Sequence, residues 1–196
     1  AHHNKMNLNK LNNLTDLYFY QAKKKNSQDN FLEWLNPEKR IKFTWSETSL
    51  SIYRFAKVLK NYTKNGDRCL IVSENRPEWL IADIGIMLAN TITVPAYTTY
   101  TSKDYKYLIE DCEPSVIIVS NNEMHKKLEE TIKEKSFIKK VITFEKVEGA
   151  DYSNKYINFD SINNIDLLEK DKKINENLKR NSPACIIYTS GTGGNP

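Results

Sequence analysis

Short runs of consecutive apolar residues alternate along this chain with longer stretches in which apolar positions recur every three or four residues. The runs at Arg68–Ser73, Thr91–Ala96, Ser115–Val119, Val141–Phe144 and Ala184–Thr189 read as strands. Their near-continuous Val, Ile and Leu content is the mark of strands covered on both faces. Pro95 places a strand terminus near the end of the second run. The stretches between them read as helices. Thr44-Trp45-Ser46-Glu47 forms a capping-box pattern ahead of a helix with Ile52, Phe55, Ala56 and Leu59 on one face, ended by Asn65-Gly66. Pro77 opens a second helix that carries Trp79, Ala82, Ile86 and Ala89 and ends near Asn90. Thr101 to Asp104 caps a third, bearing Tyr105, Leu108, Ile109 and Cys112 and stopping before Pro114, and a charged fourth helix runs from Asn122 to about Lys135. From Thr44 onward helix and strand alternate, which predicts an α/β fold: a layered, mostly parallel sheet flanked by helices.

The flanks are less regular. Residues 6 to about 30 predict a helix with Leu14, Leu17, Tyr18 and Ala22 on one face. Phe31–Leu35 and Ile41–Phe43 predict a hairpin around Asn36-Pro37. Gly149–Asn158 reads as a surface loop, and Asp160–Arg180 as one or two polar helices. Residues 1–3, Ala-His-His, read as a leftover of the expression vector.

Composition narrows the classes. The 196 residues carry 29 Lys and Arg against 25 Asp and Glu, a formal net charge of +4, with the two signs interspersed. A nucleic-acid partner is therefore not expected. The longest apolar stretch, Ile81 to Ala89, is interrupted by Asp83 and is far shorter than the ~20 residues a membrane span needs. Cys69, Cys112 and Cys185 lie far apart in apolar segments, without metal-ligand or disulfide spacing. Buried free thiols in a reducing, cytoplasmic setting are the expectation.

The chemistry concentrates at the end of the chain. After the apolar run Ala184–Thr189 come Ser190-Gly191-Thr192-Gly193-Gly194-Asn195-Pro196. Glycines let backbone N–H groups approach phosphate oxygens closely, and hydroxyls add donors that can also reach a metal. The run matches neither GxxxxGK[ST] nor GxGxxG. Tyr188-Thr189-Ser190-Gly191-Thr192-Gly193-Gly194-Asn195-Pro196 instead resembles the signature loop of the AMP-forming adenylating enzymes: acyl-CoA synthetases, luciferases and peptide-synthetase adenylation domains. The family pattern continues into Lys-Gly and has a hydroxyl residue where Gly193 stands. Gly66-Asp67-Arg68, Ile71 through Asp83, Val94-Pro95 with Tyr97-Thr98-Thr99-Tyr100-Thr101, and Tyr107 through Asp111 resemble the long-chain fatty acyl-CoA synthetase branch. Asn90 stands where that branch usually has Gly; both residues tolerate a left-handed helix end.

The resemblance implies that residues 4–196 are an incomplete N-terminal, AMP-binding domain of a longer enzyme, with the remainder and a C-terminal domain missing. It implies a ligase that joins ATP and a fatty acid into an acyl-adenylate, releases pyrophosphate, and passes the acyl group to coenzyme A. Thr189, Ser190, Gly191, Thr192, Gly193 and Gly194 would hold the ATP phosphates, with Thr189 also a candidate Mg²⁺ contact. No catalytic residue is expected in this piece, and by itself it is expected to be inactive. Two other readings stay open: an acyl-AMP ligase that loads a carrier protein, and a non-catalytic nucleotide-binding or assembly module. Fatty acid, ATP and coenzyme A are the expected partners. A homodimer and a peripheral position at the inner membrane face are further options. Other residues carry weaker signals. Arg76 reads as a helix-start surface residue pairing with Glu78 or Asp83, ahead of a phosphate clamp. Trp79 and the tyrosines at 97, 100, 105 and 107 read as packing residues, and His125, in a lysine-rich helix, as solvated.

Overall fold

The computed structural model describes residues 30–36 and 39–172. A two-stranded antiparallel sheet, β1 (Asn30–Asn36) and β2 (Lys39–Thr44), pairs Trp34 with Ile41 and Leu35 with Arg40. Helix α1 (Trp45–Lys60) follows directly. The rest winds a five-stranded sheet: β3 (Arg68–Val72), α2 (Pro77–Leu88), β4 (Ile92–Ala96), α3 (Ser102–Cys112), β5 (Val116–Val119), α4 (Asn122–Glu134), β6 (Lys140–Thr143), β7 (Tyr156–Asn158) and a single turn of helix, α5 (Phe159–Ile162). The strand order is β4-β3-β5-β6-β7 and every pairing is parallel. The hairpin, helix α1, strands β3 to β6 and the three crossover helices α2, α3 and α4 are those the apolar pattern predicts. The helix expected over residues 6–30 and the strand at Ala184–Thr189 lie outside the described residues.

A parallel sheet requires cover on both faces, and two apolar clusters supply it. On one face Cys69 and Ile71 of β3, Val116 and Ile118 of β5 and Ile142 of β6 meet Ile52, Phe55, Ala56 and Leu59 of α1, most of α2, and Phe159 and Ile162. On the other, Leu70, Val72, Ile117, Val119 and Val141 meet Tyr105, Leu108 and Ile109 of α3 and Met124, Leu128 and Ile132 of α4. Helix α2 is apolar nearly all round because it is sandwiched between the sheet and α1. The contact is tight at Gly85, where an added Cβ would lie 2.9 Å from the Phe55 ring. Cys69 and Cys112 are buried free thiols, as expected, and burial pushes each up to about 12.

Local signals explain the helix ends. Thr101 and Asp104 form a reciprocal capping box at the start of α3, and Asn121 caps α4 through Met124 N–H. Pro77 is the first residue of α2. Asn90 adopts φ 59°, the left-handed conformation its position invites. Helix α1 ends earlier than Asn65-Gly66. The Leu59 carbonyl accepts both Tyr62 N–H and the Thr63 hydroxyl, which closes the last turn, and α1 stops at Lys60. Gly66, at φ 82°, serves instead the turn into β3, where its N–H donates to Asn90 O at 2.9 Å.

Three further expectations are corrected. Residues 149–158 are not all loop: Tyr156–Asn158 pairs with β6 as a strand too short to show a period. Within Asp160–Arg180, the described part has only the end of α5 and a short 3₁₀ turn at 169–172. His125 is not solvated: it is fully buried. It shares the α4 face of Leu128 and Ile132, and its Nε2 lies 2.6 Å from the Tyr156 hydroxyl. Its Nδ1 has no hydrogen-bond partner. Burial lowers its pKa, against the opposing pull of Glu129 and the Glu148 backbone.

Two outcomes follow. Gly85→Ala should destabilise by about 1–3 kcal/mol in urea unfolding, because overpacking against Phe55 outweighs the better helix propensity of Ala, worth about 1 kcal/mol. A base whose folded pKa is lowered takes up more protons unfolded than folded, so His125 leaves stability intact above the unfolded pKa of about 6.5 and erodes it as pH falls below that value. His125→Gln should therefore flatten the decline in unfolding midpoint between about pH 7 and 5 relative to the unsubstituted protein.

Candidate functional site

The phosphate-gripping residues named from sequence, Thr189, Ser190, Gly191, Thr192, Gly193 and Gly194, lie outside the described residues, as does Cys185. What the fold does place is the edge at which such a sheet binds ligands. In open parallel α/β sheets that is the carboxyl ends of the strands, where the winding reverses direction. Here the chain passes from β3 outward to β4, then returns across β3 to β5. Helix α2 packs on one face and α4 on the other, so the exits of β3 and β5 part to opposite sides.

The residues at that edge are Ser73–Arg76 after β3, Ser120 and Asn121 after β5, and Phe144 and Glu145 after β6. Backbone hydrogen bonds hold the strand ends level: Ser120 N–H donates to Val72 O at 3.1 Å, Phe144 N–H to Val119 O at 3.0 Å, and Glu145 N–H to Ser120 O at 3.0 Å. The Ser120 hydroxyl is fully buried and has no partner.

Arg76 dominates the electrostatics, and it is not a surface residue. As the N-cap residue of α2 it turns its side chain inward, leaving 4 % of it exposed. Its Nε lies 2.8 Å from Glu78, and its Nη1 lies 3.1 Å from Glu74 and 2.8 Å from Glu145. The guanidinium carbon stands 5.6 Å from the centre of the Phe144 ring. Burial works against its charge, but the hydrogen bonds it donates to Glu78 and Glu145 and the field of Glu74 outweigh that, so its pKa is raised and it stays a cation. The expected pairing with Glu78 is present; Asp83 instead accepts the Thr93 hydroxyl at 2.7 Å. With three carboxylates on its fork, Arg76 is a brace within the protein rather than a clamp for a ligand phosphate. The spacing of Arg76 and Glu78 advertised one of these bonds. Nothing in the sequence advertised Glu145, which comes from a different crossover.

A strap secures the chain that leaves α5. Arg54 Nε donates to Ile165 O at 3.0 Å, and Lys57 Nζ donates to Asp166 O and bonds Asp171, both at 2.9 Å. The Leu168 backbone N–H and Lys57 hold the Asp171 carboxyl below its usual range.

Of the tyrosines expected to pack, Tyr100 and Tyr105 are buried, whereas Tyr97 and Tyr107 are exposed. The rings of Tyr97 and Tyr100 are 5.5 Å apart edge-on, those of Tyr100 and Tyr105 5.7 Å apart, and the Tyr105 hydroxyl donates to Tyr97 O. Trp79 packs against the first core cluster. Between α3 and α4 lies a groove of about 260 Å³ that includes Lys103, Lys106, Lys126 and Lys127 with Glu130 and Glu134. Lys127 is tied to the carbonyls of Thr98 and Tyr100, and Lys106 stands 3.6 Å from Glu134, so much of that charge is answered internally. Among the described residues no group of three or more His, Cys, Asp and Glu converges to hold a metal, and no helix is long and apolar enough to cross a membrane.

Similarity to known proteins agrees with this architecture. Long-chain-fatty-acid–CoA ligase ACSBG1 of Homo sapiens is 28 % identical over 181 residues, covering 91 % of this chain and 25 % of its own length. Long-chain-fatty-acid–CoA ligase FadD15 of Mycobacterium tuberculosis is 27 % identical over 131 residues, covering 67 % of this chain and 21 % of its own. This chain thus spans about a quarter of the length of such relatives. Among solved structures, acetoacetyl-CoA synthetase from Streptomyces lividans superposes with a TM-score of 0.77 at 15 % identity, over 94 % of this chain and 29 % of that one. The anthranilate CoA ligase AuaEII, in complex with anthranoyl-AMP, does so at 0.74 and 19 %, over 94 % and 33 %. At such identities the likeness speaks for the fold alone: that of the N-terminal domain of adenylating enzymes. The family described as AMP-binding enzyme matches residues 19–196, and so, by a match over most of its length, this chain belongs to the AMP-binding enzyme family.

Proposed function

We propose that the full-length protein is an AMP-forming fatty acid–CoA ligase. The observation that carries this reading is the run Tyr188–Pro196, in which a strand-like segment ends in hydroxyls and glycines, within a chain whose relatives are named as long-chain fatty acid–CoA ligases. A carboxylate is a poor acylating agent because its leaving group is oxide. Attack on the α-phosphate of ATP, with pyrophosphate expelled, converts that leaving group to AMP, which the coenzyme A thiol then displaces.

The chain's own part in this is to position and neutralise. Phosphoryl chemistry of this kind gains mainly from in-line geometry and from donors aimed at developing charge. Backbone N–H groups of Gly191, Gly193 and Gly194 and the hydroxyls of Thr189, Ser190 and Thr192 are suited to hold the β- and γ-phosphates. If ATP enters as its magnesium complex, Thr189 is the hydroxyl that the family resemblance offers to the metal. Gly193 removes one hydroxyl from the loop but leaves its backbone donor. Work on a fatty acid in the cytoplasm, with peripheral contact at the inner membrane face, suits the substrate's partitioning.

The test is fatty-acid-dependent release of pyrophosphate, with AMP as the nucleotide product and consumption of coenzyme A. No release with any fatty acid, or production of ADP, would reject the reading. Coenzyme-A-independent transfer to a carrier protein would move it to the carrier-loading alternative. Thr189→Ala should lower the adenylation rate by about 10²-fold, the loss seen when one donor to developing charge is removed.

A further inference from the structure

We infer that Arg76 and Glu145 are positioning residues for the adenylation step, fixing the loop that leaves β3 and the segment that leaves β6 at one separation across the exit of β5. The step named rests on the ligase reading above; the clasp rests on its own geometry.

The winding does not hold these loops together. Because the crossovers after β3 and β5 leave toward opposite faces, residues 73–76 and 120–121 part at the switch point. Backbone bonds through Ser120, Phe144 and Glu145 fix the strand ends, and Val147 N–H on the Tyr152 hydroxyl and Glu148 N–H on Asn122 Oδ1 hold the far part of the segment after β6, but none of these bonds reaches residues 73–76. Arg76 spans the gap. Its bond to Glu145, at 2.8 Å, joins two segments 69 residues apart in sequence and passes over the strand that lies between β3 and β6. The planar fork directs several bonds in fixed directions at once, which an ammonium group cannot do.

Exposure separates the roles of the carboxylates. Glu78 is buried, with 9 % of its side chain exposed, and neutralises Arg76 at the helix start. Glu145 is 55 % exposed, and an ion pair with so open a partner adds little to global stability. What Glu145 supplies is a fixed distance between two loops. Ligands of parallel sheets bind at this carboxyl edge, and in-line attack is lost steeply when parts of such a platform move by about 1 Å.

The experiment uses the full-length protein with Glu145→Ala, which removes the acceptor, Glu145→Gln, whose amide oxygen can still accept from Arg76, and Arg76→Lys. Hydrogen exchange without substrates reads the clasp; kcat and KM for ATP in pyrophosphate release read the positioning; thermal melting reads stability. Glu145→Ala is expected to speed amide exchange at Ser73–Asn75 and at Glu145 and Lys146 at least tenfold while α4 is unchanged. It should lower kcat by about tenfold with KM for ATP within about twofold and melting unaltered. Arg76→Lys should shift kcat in the same direction and further, and Glu145→Gln should fall between Glu145→Ala and the unsubstituted enzyme. Unchanged exchange in Glu145→Ala overturns the clasp. Faster exchange with unchanged kcat overturns the positioning role. If the unsubstituted protein releases no pyrophosphate with any fatty acid, the ligase reading and the adenylation role fall together, and exchange still decides the clasp.

Discussion

A strand paired in parallel on both sides and covered on both faces has no surface left for water, and β3 is such a strand. Its partners β4 and β5 arrive from later in the chain, and its alternating side chains feed two separate cores: Cys69 and Ile71 the one under α1 and α2, Leu70 and Val72 the one under α3 and α4. The other elements are arranged by this burial. Helix α2 must be apolar nearly all round because it fills the space between β3 and α1, and glycine is needed at position 85 because Phe55 occupies the volume a side chain would take. Fully burying each such apolar side chain contributes about 1.5–3 kcal/mol, so the sheet and its covering helices stand or fall together.

The two edges of the sheet are built from different chemistry. The amino edge is stitched by backbone groups in left-handed conformations, with Gly66 N–H on Asn90 O, and by Asp67, which accepts Lys64 N–H and the Ser115 hydroxyl. The carboxyl edge is ionic: a guanidinium, three carboxylates and an aromatic ring at the point where the winding reverses. Buried charge is costly unless paired, and Arg76 is tolerable there because Glu78 is buried with it. In a sheet of this topology, ligands belong at the second edge rather than the first.

The central fold was legible because its signals are local. Consecutive Val and Ile, Pro77 at a helix start, Thr101 with Asp104, and Asn90 at a helix end each act within a few residues, and each appears where the pattern put it. The misreadings have non-local causes. Tyr156–Asn158 is a strand only because β6 is beside it. His125 is buried because Tyr156, from strand β7, offers it a hydroxyl, and a lysine-rich helix hides that face. Arg76 looked exposed because Glu145 is remote in sequence. The candidate loop rests on composition alone, glycine and hydroxyl residues after an apolar run, and lies outside the described residues, whereas the brace at Arg76 had no signature of its own.

The strand order also has a kinetic meaning. Of the five-stranded sheet, β3 is the first strand to be synthesised, yet it ends up between two strands made after it, and its pairing with β5 must wait for Val119. At synthesis rates of about 5–20 residues per second, its apolar sides and unpaired amides stand open for several seconds before the second neighbour exists. Long-range parallel pairing is slow in any case. Nascent chains of this protein therefore pass through an adhesive interval that ends only when the fifth strand docks, and that interval is where chaperone capture or misassociation would compete with native assembly.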